Sequence, residues 1–329
     1  MNALAADRVV RALGPVAVVG AGISGAACAG ALADGGLRVR MYDRGEGLGG
    51  RLASYAVDGR MVDAGASYFT VSDPRFAAVA QDWERRGVAR PWTDTFHVAG
   101  PEGITGTSSG PVRWACAGGL RSIAVDLLGE RRVTHPYDVE SVAPGPSVDG
   151  EVAEAAVLAM PDPQAADLLA PTLREELAVL EDRTWEPVLA LAAGWDRRSW
   201  LPELDGVFVN DSPVLGWVAD DGRRRGDGAP VLVAHSTSAF AEANIDDPAA
   251  AVAELVATVR AVLGVGEEPR WVRVHRWSLA RPVEGREAPF FLGEAMVGLC
   301  GDGWHGKPRV EAAYLSGLEL GQALVERLT

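Results

Sequence analysis

The stretch PVAVVGAGISG, Pro15 to Gly25, constrains the fold of this chain more than any other. Pro15 to Gly20 is a short apolar, β-branched run ending in glycine, the pattern of a buried parallel strand. Ile23 to Asp34 is alanine-rich and stops at Gly35-Gly36, which predicts a helix with a glycine C-cap. Leu37 to Tyr42 alternates and ends at Asp43, a second strand, so the three segments form one βαβ unit. Gly20 allows the tight turn, Gly22 lets an anion approach a backbone that has no Cβ, and Gly25 lets helix pack on strand. The helix N-terminus presents free N–H groups and a positive dipole end to that anion. Asp43 follows Gly20 by 23 positions, where an acid takes the hydroxyls of an unphosphorylated adenosine ribose. This spacing predicts a dinucleotide site without choosing between NAD and FAD.

With 329 residues the chain exceeds the size at which one core stops growing, so two lobes are expected. A formal net charge of −14 argues against nucleic-acid and anionic-lipid partners, which need a basic surface. The three cysteines, Cys28, Cys116 and Cys300, are widely spaced and form no CxxC pair, so neither a metal site nor a disulfide framework is expected. The first fourteen residues carry Asp7, Arg8 and Arg11 and lack the apolar core of a secretory signal. No run approaches the ~18 apolar residues of a membrane span, and a cytoplasmic location is expected.

Further along, Asp73 to Gly87, Gly118 to Gly129, Asp167 to Asp182 (with a break at Pro171) and Ala249 to Leu263 read as helices. Strands are expected at Ala155 to Met160, in VLALAAGW, GVFVND, PVLVAHS and WVRVHRW, and at Met296 to Cys300. Ala219 to Pro230, ADDGRRRGDGAP, reads as a mobile polar loop at a surface hairpin tip. The fold class is therefore α/β: a Rossmann-type binding domain from residues 1–75, 112–165 and 288–329, with an inserted α+β domain, mixed or antiparallel in its sheet, from 76–111 and 166–287. A second glycine-bounded loop, GDGWHGKPRVEAAYLSG, follows the last strand at the other end of the chain. After Asp43, RGEGLGGRLAS reads as a backbone turn beside a long dinucleotide, or as an ordinary surface loop.

The segments GAGISGAACAGALADGG, YDRGEGLGGRLAS, VDAGASYFTVSDPRF, VRWACAGGL, VLAMPDPQAADLL, VNDSPVLGW, HRWSLARP and CGDGWHGKPRVEAAYLSG occur in order over nearly the whole chain. Together they resemble the bacterial renalase-like flavoproteins, a branch of the amine-oxidase/FAD superfamily. GAGISG and GGR are shared across that superfamily, whereas GASYFT…DPRF and HRW…ARP are more specific. The resemblance implies FAD held by both loops, the first taking the adenosine and pyrophosphate, the second reaching the ribityl chain and flavin ring. With no cysteine or histidine clearly placed for a flavin link beyond Cys300 and His305, which keep it open, the FAD is expected to be noncovalent. Carried over residue by residue, the cofactor contacts are Gly20, Gly22, Ile23, Ser24 and Gly25 at the first turn and Asp43, Arg44, Gly50 and Arg51 after the second strand. Gly65, Ala66 and Ser67 lie beside the ring, Val139 at the adenine, Ala159 and Pro161 at a strand end, and Gly301, Asp302, Arg309 and Val310 in the second loop. The loop between Asp302 and Arg309 is one residue longer than the usual form.

The resemblance also implies the reaction. Renalase-like enzymes take hydride from misreduced NAD(P)H isomers, with hydride at ring carbon 2 or 6, giving NAD(P)+ and, with O2, hydrogen peroxide. A dihydropyridine loses hydride without losing an N–H proton, so no general base is required. The substrate side is expected at His275, Trp277, Trp217, Tyr68 and Trp114, with Arg113 or Arg281 meeting phosphates and no protein side chain as the hydride acceptor. Two alternatives stay open: a flavin amine oxidase or desaturase of a small organic substrate, and a non-catalytic flavin-binding sensor.

Overall fold

The computed structural model describes residues 14–57, 59–100 and 102–329. The reading of the first residues as lacking a signal sequence falls almost wholly outside the described part. Two sheets organise the chain. The strand Val16–Val19 sits in the middle of a six-stranded sheet, pairing in parallel with Val39–Tyr42 on one side and Ala156–Leu158 on the other. Val133–Thr134 and Val297–Leu299 extend it in parallel, and Phe291–Leu292 closes one edge antiparallel. The second sheet has eight strands and is antiparallel except where Gly206–Val209 runs parallel to Arg90–Gly100. The α/β fold with an inserted mixed sheet is thus the observed architecture.

The first helix, Ile23–Asp34, lies against the C-terminal helix Val310–Leu328. Small residues set their distance: a Cβ on Gly317 would stand 1.9 Å from the Ser24 carbonyl oxygen, and one on Gly321 would stand 2.8 Å from that of Cys28. The helix Pro74–Arg85 starts at Asp73, whose carboxylate accepts from Arg75 N at 2.8 Å, and it buries Phe76, Ala80 and Trp83 against the same packing unit. By contrast, Phe69–Thr70 and Gly103–Ala115 pair with each other in the inserted sheet, so the chain passes between lobes on both flanks of that helix. The hairpin Arg90–Gly100/Gly103–Ala115 has no counterpart in the sequence reading. Its second strand, rich in Gly, Thr and Ser and exposed from Thr105 to Val112, carries no apolar periodicity to reveal it.

Two expectations are corrected. The segment read as helical from Asp167 to Asp182 with a break at Pro171 is indeed interrupted there, but its first helix, Asp162–Leu168, begins earlier than expected because Pro163 sits comfortably in a first helical turn, and the second is Arg174–Leu180. The larger correction concerns Ala219 to Pro230. It is not a surface tip: Asp221–Arg225 is a short helix capped by Asp220, and Asp221, Arg224 and Arg225 are 0%, 1% and 6% exposed. Arg224 and Arg225 both pair with Asp221 and with Asp63, while Arg60 pairs with Asp221 and Asp227. Burial pushes Asp63 up, whereas for Asp221 the guanidinium groups of Arg224, Arg225 and Arg60 outweigh burial and hold the carboxyl low. A segment of polar residues reads as a loop because its partners lie far away in sequence.

Two glycine substitutions should have opposite signs. Gly317→Ala forces the two helices apart and should lower unfolding free energy by about 1–3 kcal/mol. Gly30→Ala, in a helix position where a Cβ meets nothing within 4 Å, should raise it by about 0.5–1 kcal/mol. Urea unfolding of the two variants beside the parent checks both.

Candidate active site

A cleft of about 1740 Å³ runs between the two sheets and is lined by every expected cofactor position except Gly25. Gly25 lies behind the first turn, where a Cβ would stand 1.9 Å from the Gly20 carbonyl oxygen; its place is helix-to-strand packing. The helix after that turn begins at Gly22 with no side-chain cap and no acid in its first turn, so its leading N–H groups are free to meet an anion. Asp43 accepts from Ala21 N and Gly45 N, each at 2.7 Å, which fastens the end of the second strand to the glycine turn. Gly49, at φ 104°, donates to Ala21 O at 3.1 Å and brings Gly50 onto Gly22. Tyr137 N donates to Asp43 O at 2.8 Å, which places Val139 at the same end. The donor set and the cradle of bare Cα positions fit a dinucleotide pyrophosphate.

At the other end the two glycine-bounded loops meet. Arg51 donates from both terminal nitrogens to the carboxylate of Asp302, at 2.8 and 2.6 Å, and also to Ala280 O at 3.1 Å. This forked pair joins segments 251 positions apart in the sequence. The long stretch after Asp302 is held by backbone bonds: His305 N to Ala288 O at 2.9 Å and Gly306 N to Arg286 O at 2.7 Å. Lys307 is exposed and does not line the cleft. Cys300 is buried, with its thiol pushed up to about 12 by burial, and His305 Nε2 lies 3.3 Å from Glu319. Neither lines the cleft.

Between these ends Ala64 to Ser67 is clamped onto the inserted sheet. Trp277 Nε1 donates to Ala64 O at 2.6 Å, Trp217 Nε1 to Ser67 Oγ at 3.1 Å, and Arg224 Nη1 to Ser67 O at 2.9 Å. The two tryptophans expected to present flat faces therefore also spend their only N–H on the loop beside the cofactor position, while their rings still line the cleft. Tyr68 and His275 line it too; Trp114 does not, because it stacks on Phe69 at 5.9 Å and 19° within the core. Arg113 and Arg281 have protein partners: Arg113 donates to Asp94 O and lies 4.3 Å over Phe96, and Arg281 pairs with Glu186 at 2.5 Å.

Cross-strand register adds a residue that sequence reasoning passed over. His275, Ala190, His235 and Trp217 oppose one another across neighbouring strands, so His235 faces the cleft. Its signal was weak: one polar residue near the end of the apolar run PVLVAHS. Burial pushes His235 down to about 4, and Arg224 and Arg281 act in the same sense. Burial, then Arg273 and Arg276, lowers His275 as well. Both imidazoles are neutral near pH 7, so neither is a strong base.

Arg224→Leu would leave buried Asp63 to Arg225 alone and Asp221 to Arg225 and Arg60, and would release the Ser67 carbonyl. It should cost about 3–5 kcal/mol in urea unfolding, with Arg224→Lys recovering part of the loss.

Residues 18–83 match the NAD(P)-binding Rossmann-like domain, and residues 116–323 match the flavin containing amine oxidoreductase model. A solved structure from Exiguobacterium sp. 255-15, provisionally named a protoporphyrinogen oxidase, is similar at 14% identity and TM-score 0.75, covering 96% of this chain and 99% of that one. Putrescine oxidase bound to putrescine is similar at 15% identity and TM-score 0.73, with 96% and 99% covered. A triple mutant of putrescine oxidase redesigned in its cofactor binding gives 16% identity and TM-score 0.76, over 96% of this chain and 99% of that one. These likenesses show the fold. The second family match spans well over half of the 329 residues, so the chain belongs to the flavin-containing amine oxidoreductase family, and its cofactor is FAD.

Proposed function

We propose that the protein is an FAD-dependent oxidase of misreduced NAD(P)H isomers, regenerating NAD(P)+ and passing the electrons to O2 as hydrogen peroxide. The observation that carries this reading is the lining of the substrate half. The strand that carries His275 and Trp277 also brings Arg276 and Arg281 to the lining around Tyr68, Phe208, Trp217 and His235, and the lining acid Asp302 is held in a forked pair with Arg51. Of the other lining acids, Asp43, Glu46, Asp138 and Glu140 follow the second strand or lie on the segment fastened to it, and Asp167 lies on the helix Asp162–Leu168. Aromatic walls with an arginine rim suit a flat ring on an anionic tail and repel a diamine cation.

Bound FAD supplies the hydride acceptor; the chain supplies shape and orientation. Gly20, Gly22 and the first helix hold the pyrophosphate, Asp43 the adenosine ribose, and Arg51 with Asp302 the ribityl end. Trp277, Trp217 and Arg224 fix the Ala64 to Ser67 backbone so that the ring's neighbour cannot shift. With both imidazoles neutral, the site offers no strong base, and a dihydropyridine needs none. An amine oxidase is the second reading: Tyr68 and Trp217 meet edge to face at 5.8 Å and 64°, a wall against which a neutral amine could lie. A cytoplasmic location belongs to the first reading; among the described residues no helix is long and apolar enough to cross a membrane.

The test adds borohydride-reduced NAD, rich in the 2- and 6-dihydro isomers, anaerobically to the yellow protein and follows flavin absorbance. Rapid bleaching by the mixture but not by NADH, recovering in air with peroxide formed, is expected; bleaching by putrescine alone selects the amine reading. The bleaching rate should also be flat from about pH 7 to 8, because histidines shifted below their ordinary value are deprotonated there and no cationic substrate must lose a proton.

A further inference from the structure

The chain has 45 acidic residues against 31 basic ones, and most arginines in the described residues sit beside a carboxylate or a carbonyl oxygen. Arg121 and Arg273 are among the few described arginines with neither an ion pair nor a hydrogen bond. Both converge instead on one ring, Tyr55, at 5.8 and 5.0 Å from its centroid. Arg121 Nε is buried without an acceptor, and the rest of its guanidinium lies flat against Gly47, where a Cβ would stand 2.6 Å from Nη1. Arg121 is partly buried with its Nε unpartnered, and the exposed Arg273 adds a second like charge at the same ring with no carboxylate between them.

The geometry points to Tyr55, Arg121 and Arg273 as a subsite for a phosphate anion at the mouth of the cleft, one that receives the phosphates of the dinucleotide substrate. Tyr55, Arg121 and Gly47 line the cleft, and Arg273 flanks it beside Tyr55 and His275. Strand alternation puts Arg273, His275 and Trp277 on one face, and His275 lies 5.0 Å from Tyr55 and 4.3 Å from Trp277. The three side chains form a path outward from the clamped loop to the anion subsite, about 13 Å over four residues of strand. A ring seated by Trp277 and His275 thus directs its ribosyl phosphate toward the two arginines. Gly47 belongs to the same device, because any side chain there would displace the Arg121 guanidinium.

This assignment rests on the dinucleotide reading above, so its probe lacks the reacting ring. ADP-ribose carries the pyrophosphate without nicotinamide, and its binding to the FAD-loaded protein is read by isothermal calorimetry at two salt concentrations. Parent protein should bind it with salt-weakened affinity; Arg121→Gln and Arg273→Gln should each weaken it about tenfold, and Tyr55→Phe, which keeps the ring, should leave it unchanged. The flavin spectrum and FAD retention of each variant form the second arm. Equal binding by parent and by the double variant, or no binding by the parent, overturns the subsite. Loss of FAD by the variants with ADP-ribose binding intact also overturns it, because the anion would then be the cofactor's own pyrophosphate. If ADP-ribose binds as expected but the isomer mixture fails to bleach the flavin, the subsite stands and the oxidase reading falls.

Discussion

The structure depends on the buried ion cluster of Asp63, Asp221, Arg224 and Arg225. Charges removed from water are tolerated only when each is paired and hydrogen-bonded, and here each supports a different segment. Asp63 ends a strand of the hairpin that follows the first glycine loop, accepts from Ser54 and receives Leu120 N at 3.2 Å. Arg225 reaches Ala117 O at 3.0 Å and Arg224 reaches Ser67 O at 2.9 Å. The cluster therefore joins the binding domain's hairpin, the segment leading into the helix Arg121–Leu128, and the loop beside the cofactor position to one short helix of the inserted lobe.

A joint of this kind explains why two lobes with separate cores can hold a cleft of fixed shape. Hydrophobic contact alone would let the sheets slide; directional ion pairs and indole N–H groups set one position. The Arg51–Asp302 pair does the same at the far end, where the first and last loops of the chain meet. Between these two fastenings the Ala64 to Ser67 segment lines the cleft, tied down by Trp277, Trp217 and Arg224. That arrangement suits a site in which the cofactor carries the chemistry and the protein supplies placement.

The electrostatics of the cleft divide along its length. Asp43, Glu46, Asp138 and Glu140 gather at the end of the second strand, Arg51 and Asp302 neutralise each other at the far end, and the imidazoles of His235 and His275 line the cleft beside Trp217 and Trp277. His235 and His275 are kept neutral by burial and by neighbouring guanidinium groups, so neither is a strong base near pH 7.

Local periodicity and spacing carried much of this in the linear chain. The βαβ unit with Gly20, Gly22, Gly25 and Asp43, the last strand and helix, and the strands of the inserted sheet are legible because each depends on near neighbours: apolar alternation, a glycine turn, a capping Asp73. Many of the residues that line the cleft were legible for the same reason, since they cluster at strand ends that such motifs mark. What the tertiary structure alone decided depends on partners far apart in sequence. ADDGRRR is polar by composition and largely buried in fact, because Asp63 and Arg60 lie about 160 residues upstream. Trp114 belongs to the core because Phe69 lies beside it across the sheet. His235 faces the cleft only through cross-strand register, which shifts every side chain to the other face when it slips by one. Composition cannot show which charge will meet which; folding decides it by bringing them together.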